Sequence, residues 1–469
     1  MKNLALVPEA LVVAAALVLL LGGKLGWFSA RSRRYLPAAA AAVALVAFLV
    51  ELWAGASVGT FFGGAFLQDR FALFAKAAVL LTATLALAAA DWQAEDSLSI
   101  GLAMPLLAAF GVMVAASSAD VVGLWAGLEL AAASAIVLVS LRRADLGLRL
   151  LVSGGVASGL VLIGLAFIYA TSGNGDLTAI HNVLVGVLPT LPLAIPVLLL
   201  LSGLAMRANL APFHITGLTA ELGASPLGAG LLLGIVAVAA ATVAIKVAVA
   251  LIAVSAAYVL FIEVLAAVAM VGGGVAAVAA HAPRARLAYL AVSQVGWIAA
   301  GLVAHYRAGV GASLFLLGAF AVAATCGPAV LGRAEGGEMA IHGLGAVRPA
   351  RAAGLALAML SLAGAPPLAG FFGEFAVAAS LAQSGHFELL ALGLLGWVLC
   401  LAAAVSTLRV LYIQSPLEDS RRGSMVLPVL TALSTAGAVA LCGVIVAYGV
   451  FAYPIMSLAD QGAEALGLR

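Results

Sequence analysis

The sequence predicts an all-α polytopic membrane protein of about fourteen transmembrane helices, and three observations carry that reading. Hydrophobic residues make up 65% of the 469 and charged residues only 9%, with a mean hydropathy of +1.21. No water-soluble globule has that balance. Apolar runs of roughly 20 residues, the length that crosses a bilayer, recur from the first residues to about Tyr453 between short polar breaks. Basic residues gather on alternate breaks.

The first crossing is expected over 4–21. Pro8 and Glu9 stand where a signal peptide would carry positive charge, and no small-residue cleavage site follows before Trp27, so the run reads as a retained helix. The second and third, 36–54 and 71–90, contain Glu51 and Lys76 near helix ends, where snorkelling or interface exposure is the expected state. The fourth spans 98–116. The fifth, 121–141, carries Glu129 near its middle in WAGLELAAAS. An unpaired charge there costs several kcal/mol on an order-of-magnitude scale, so a basic partner or a bound proton is required; a static pair that fixes helix register is the alternative use. The sixth covers 150–170. The seventh, 188–206, ends on Arg207 and runs into ANLAPFHITGLTAELGASP (208–226), broken at Pro212 and holding His214. The eighth, 226–250, carries Lys246. The ninth, 256–280, carries Glu263 and three adjacent glycines, 272–274, whose natural use at that depth is close helix packing. The tenth and eleventh span 287–304 and 310–331. The twelfth, 352–381, contains LSLAGAPPLAGFFGEF (360–375), and the last two cover 389–411 and 425–451.

The twelfth crossing is the most informative. Pro366 and Pro367 remove backbone donors and block the helical ladder, so the freed carbonyls need water or neighbouring protein; Glu374 beside them is costly unless used or paired. That combination marks an ion path, against the plainer use of a kink with a neutralised glutamate. The two proline breaks lie five crossings apart. Odd spacing gives them opposite orientations, the signature of inverted repeats with a broken helix in each. The expected organisation is three N-terminal helices (1–97), a first repeat (98–253), a second (254–413), and a last helix with its tail (414–469).

Orientation follows from Lys24, Arg31, Arg33 and Arg34, then Arg142, Arg143 and Arg149, Arg207, Arg284 and Arg286, Arg333, Arg348 and Arg351, and Arg409, Arg421 and Arg422. Those loops are cytoplasmic by the positive-inside rule. The other side holds little more than Arg70, Arg307 and the terminal Lys2 and Arg469, which puts both termini outside.

Several functions are excluded. A net charge of +2, spread over many loops, argues against nucleic acid and against a polybasic lipid switch. Cys326, Cys400 and Cys442 are isolated and build neither a disulfide framework nor an iron-sulfur or zinc pattern. No glycine loop cradles phosphate. Redox chemistry therefore belongs to partner chains. A row of Glu129, Arg207, Lys246, Glu263 and Glu374 can relay protons, and His214 can pass them near neutral pH or serve as a cap. His281 and His305 read as interface residues and His181, His342 and His386 as loop residues, with no second metal ligand at helical spacing.

These motifs resemble the antiporter-like subunits of the membrane arm of respiratory complex I, and among them the subunit N group of bacterial NADH-quinone oxidoreductases. The likeness covers nearly the whole chain: ALVPEALVVAAALVLLLGG at the start, GLEL around Glu129, APFH with GASP, RLAYLAVSQVGW (286–297), LFLLGAFAVAATCGP (314–328) and, most specific, LSLAGAPPLAGFFGEF. Membrane-bound hydrogenases and multisubunit cation/proton antiporters carry related subunits. The resemblance implies fourteen helices, two inverted five-helix repeats, a bacterial inner-membrane location, and proton transfer driven by quinone reduction in a complex whose flavin and iron-sulfur clusters sit in other subunits. It implies that Glu129 pairs with a residue on the broken seventh helix, where Arg207 replaces the family's lysine. Arginine balances the glutamate and hardly releases a proton. The central lysine of the eighth helix is replaced by Val236 or an apolar neighbour, with Lys246 nearer the helix end, and Glu374 matches a position that is lysine or glutamate in the family. A modified proton route and a structural, non-pumping link both fit these departures.

Overall fold

The computed structural model describes residues 5–54, 58–90, 92, 97–185, 191–252, 254, 258–304, 307–332, 341–413 and 428–467. Lys2, His305, Arg333, Arg421, Arg422 and Arg469, and the expected helix starts at 4, 188, 256 and 425, lie outside the described residues.

In chain order the elements are α1 (Val7–Lys24), α2 (Ala30–Arg33), α3 (Leu36–Ala54), β1 (Gly59–Phe61), β2 (Phe66–Gln68), α4 (Arg70–Ala89), α5 (Leu98–Ser117), α6 (Val121–Arg142), α7 (Ala144–Ser172), α8 (Leu177–Leu184), α9 (Leu191–Arg207), α10 (Ile215–Gly223) and α11 (Pro226–Gly230). A π-helical turn, Leu231–Val236, joins α11 to α12 (Ala237–Ala250). Then follow α13 (Val259–Ala279), α14 (Pro283–Val303), α15 (Arg307–Leu331), α16 (Leu344–Val347), α17 (Pro349–Leu362), α18 (Ala369–Ser384), α19 (Phe387–Tyr412), α20 (Pro428–Val450) and α21 (Ala452–Ala465).

Among the described residues, 12 helices are long and apolar enough to cross a membrane. This is a multi-pass membrane protein. Ala194–Arg207 and Pro349–Leu362 are shorter apolar helices, and each runs across a proline break into a second piece, α10 and α18. The breaks contain cis Ala211–Pro212 and cis Pro366–Pro367. Around Pro212 the chain leaves the helix at Asn209, whose φ of 56° is a left-handed conformation that asparagine tolerates better than most residues.

One short connection departs from helix: β1 and β2 form an antiparallel hairpin with Gly59 opposite Gln68. This connection leaves α3 and returns into α4, so its backbone groups pair with each other, and Gly63 and Gly64 supply the positive φ of the turn. The tail carries a further helix, α21, packed on α4 and α15.

Burial follows position in the bundle. α15 is buried from Gly309 to Leu331, and Pro226–Ala250 and Pro283–Val303 are nearly so, as expected of helices apolar all round. Outer helices such as α7 and α19 expose Leu148, Leu151, Val398 and Val405, faces suited to lipid. Packing partners recur: α5 lies on α6 as α13 lies on α14, α7 on α9 as α15 on α17, and α5 on α12 as α13 on α19. Gly273 and Gly274 let α13 approach Ser293 of α14 and Gly396 of α19, while Gly272 faces open space.

Candidate functional site

The site begins in the middle of the bundle, where α6 and the break after α9 bring opposite charges together. Arg207 Nη2 donates to both oxygens of Glu129, at 2.6 and 2.7 Å. Arg207 is almost covered, and Glu129 keeps 29% of its side chain exposed. Gly154 on α7 makes room for the guanidinium, since a Cβ there would stand 2.9 Å from Nη1. A cavity of about 50 Å³ beside the pair is lined by Ser153, Arg207, Asn209, Phe213 and Leu232, roomy enough for water. Asn209 Nδ2 reaches back to the carbonyl of Leu232 at 3.4 Å, so the broken helix is tied to the π turn. His214 is half-buried, with its ring edge-on to Tyr289 at 6.1 Å between centroids, and its Nδ1 has no partner among the described residues.

The eighth crossing contributes no charge beside this pair. Its central stretch is the apolar π turn, packed on α15. Buried Thr242 and Thr325 there have hydroxyls without a partner among the described residues; sequence reading missed both, and a helix with a π turn beside unused hydroxyls is the signal that finds them. Lys246 lies ten residues beyond Val236 and points elsewhere. Its Nζ donates to the carbonyls of Ala116 at 2.8 Å and Ser118 at 2.5 Å, at the C-terminus of α5, where the helix dipole favours a cation. A cavity of about 250 Å³ opens beside it, lined by Asp69, Ser118, His181, Lys246 and Leu466.

Glu374 stands across the bundle on α18. It is buried, with Oε2 lacking a partner and the carboxyl pressed on the twelfth crossing's break: a Cβ at Gly364 would lie 1.9 Å from Oε2. Gln294 of α14 lies beside Glu374 and donates to the Ser361 carbonyl at 3.1 Å. Trp397 Nε1 donates to the Gly364 carbonyl at 2.9 Å. The second break therefore has two of its freed carbonyls met by side chains, as the membrane interior requires. Glu263 sits apart. It pairs with His386 at 2.5 Å, with about a quarter of each side chain exposed, so the loop histidine between α18 and α19 has a carboxylate partner.

Lys76 and Glu51 reverse the expectation of snorkelling. Both are 0% exposed, because the hairpin folds Gln68 in between α1, α3 and α4. Lys76 Nζ donates to Glu9 of α1 and to Gln68 Oε1, and Gln68 Nε2 donates to Glu51 Oε1 at 2.7 Å. Glu9 and Gln68 escaped the sequence reading as site residues. The usable signal was that Glu9, Glu51 and Lys76 sit at similar distances inside three consecutive helix ends on one side.

The family described as NADH:quinone oxidoreductase/Mrp antiporter, TM, matches residues 118–400. The chain belongs to that family. Among its relatives, NADH-quinone oxidoreductase subunit N of Granulibacter bethesdensis is 29% identical with 98% of each chain covered, and that of Rhodospirillum rubrum 30% identical with 92% of each covered. A chain of respiratory complex I from Thermus thermophilus with bound Aureothin has the same fold at a TM-score of 0.79 and 23% identity, covering 97% of this chain and 99% of that one. A chain of the Mrp complex from Dietzia sp. DQ12-45-1b has it at 0.82 and 19%, covering 99% and 98%. In this member of the NADH:quinone oxidoreductase/Mrp antiporter family the glutamate of the fifth crossing is held by arginine, and the eighth crossing is apolar at its centre. Among the described residues no group of three or more His, Cys, Asp or Glu can hold a metal.

Proposed function

We propose that the chain is a membrane-arm subunit of a proton-translocating NADH-quinone oxidoreductase, carrying protons across a bacterial inner membrane while quinone is reduced elsewhere in the complex. Family membership over 118–400 with near-full-length likeness to subunit N chains supports the assignment; the observation that carries the mechanism is the Glu129–Arg207 pair beside a water-sized cavity at a helix break. Glu129 is the group that exchanges a proton, and Arg207 sets how readily it does so by approaching or withdrawing. Glu374, beside Gln294 at the second break, is the corresponding group of the other half. His214 and the two threonine hydroxyls, with water, are the route between them; Lys246 and Glu263 serve the edges. The recurring packing partners and opposed breaks support two inverted five-helix repeats within fourteen crossings, 98–253 and 254–413, with both termini outside. Partners are the other membrane-arm and peripheral-arm subunits, which hold flavin, iron-sulfur clusters and the quinone site, together with lipid; nucleic acid is not among them.

One observation favours a second reading. A permanently charged Arg207 facing an apolar eighth crossing suits a non-pumping spacer, or a subunit of a cation/proton antiporter or hydrogenase assembly. The deciding experiment purifies the intact complex in mild detergent, identifies its subunits by mass, and measures NADH-quinone activity and proton uptake in reconstituted vesicles. Glu129→Gln and Glu374→Gln should each lower protons moved per NADH while leaving assembly intact. Normal ratios in both variants would remove the pumping role, and a complex without flavin and iron-sulfur partners would remove the oxidoreductase assignment.

A further inference from the structure

The buried cluster of the N-terminal helices has unequal charges. Two carboxylates, Glu9 from α1 and Glu51 from α3, face a single ammonium, Lys76 from α4. Gln68 is neutral and links them: its amide oxygen accepts from Lys76 and its amide nitrogen donates to Glu51. Each carboxylate has one oxygen, Oε2, without a partner among the described residues, and Glu51 is fully buried. Among the described residues, no cation other than Lys76 contacts either carboxylate. Neither α5 nor α20, both packed on α4, carries a charged residue in its span. Arg307 of α15 is taken by Glu464 of α21 at 2.9 Å, and Asp460 of α21 is a further acid set against Gly311. An uncompensated buried charge neutralises by taking up a proton.

We propose that Glu9, Glu51 and Lys76 form a proton-binding site, in which the two carboxylates share one exchangeable proton and the vacant Oε2 oxygens are where it resides. The occupied site is neutral overall: one carboxylate, one carboxylic acid, one ammonium. Losing the proton leaves a net negative charge in the bundle, which Lys76 and its neighbours then feel. The proton's source lies close by. Asp69, the residue after Gln68, caps α4 through the Ala72 N–H at 2.7 Å and lines the cavity beside Lys246; its carboxylate is within electrostatic reach of both Lys246 and Lys76. Burial pushes the Asp69 carboxyl above its ordinary value, against the Ala72 N–H and the two lysines. A proton entering that cavity thus meets Asp69 before the cluster. This site lies outside both proline breaks, so its standing does not depend on whether Glu129 and Glu374 pump.

The test is infrared spectroscopy of the full-length chain within its purified complex, reading the C=O stretch of protonated carboxylic acid at neutral pH and its shift in D₂O. The charge count predicts that Glu9→Gln and Glu51→Gln each remove one protonated-acid band, since one carboxylate then pairs with one lysine. Lys76→Met should add a band, because both acids then carry protons. The glutamine variants keep the shape of the protonated acid, and subunit composition by mass confirms assembly. If Lys76→Met does not assemble, the two glutamine variants decide alone. The proposal is overturned if either glutamine variant leaves the band intact, or if the cluster contributes no protonated acid in the unaltered protein.

Discussion

Arg207 holds Glu129 with a single terminal nitrogen between both oxygens, and its Nε has no partner among the described residues. The guanidinium is therefore underused as a fork, and a small rotation changes the contact without breaking the fold. Arg207→Met should destabilise the purified protein by about 3 kcal/mol, because it strands a largely enclosed carboxylate, and adding Glu129→Gln should recover most of that loss. Thermal unfolding in detergent reads both; additive effects would show that the two side chains do not interact. This pair was legible in the sequence because each charge interrupts an apolar run. Lys76 and Glu51 were misjudged because linear distance from a helix end says nothing about what covers that end. Gln68 covers it, and a three-residue strand in a short connection carries no periodic signal.

At the scale of elements, prolines made the two breaks readable, since Pro212, Pro366 and Pro367 cannot donate to a helical ladder. The π turn was not readable. Its residues, LLLGIV, read as ordinary helix, and only packing on α15 reveals the shift in hydrogen bonding. That contact depends on small residues: a Cβ at Gly234 would stand 1.9 Å from Thr325 Oγ1 and 2.8 Å from its backbone nitrogen, and one at Gly230 would lie 2.2 Å from the Thr325 carbonyl. Gly234→Val should cost about 2–3 kcal/mol by overpacking, seen as a lower unfolding temperature. An unchanged temperature would mean that the turn relaxes freely against α15.

For the whole molecule, hydropathy and the positive-inside pattern carry both fold class and expected orientation. A cysteine at exposed Ser29 should react with a membrane-impermeant maleimide only in inside-out vesicles, and one at exposed Asn174 only in right-side-out vesicles. Buried Cys326 and Cys400 leave little background once half-buried Cys442 is replaced. The reverse labelling would invert the topology. What hydropathy does not reveal is which helices touch. The third crossing, α4, packs against α15, α20 and α21, elements made some 220 to 360 residues later in the chain. At ribosomal speeds of roughly 5–20 residues per second, α4 therefore waits on the order of tens of seconds, inserted but unfinished, before its final neighbours exist. Any nascent chain released early would carry an open face around Lys76, a mark by which membrane quality control can distinguish an incomplete subunit from one ready for its partners.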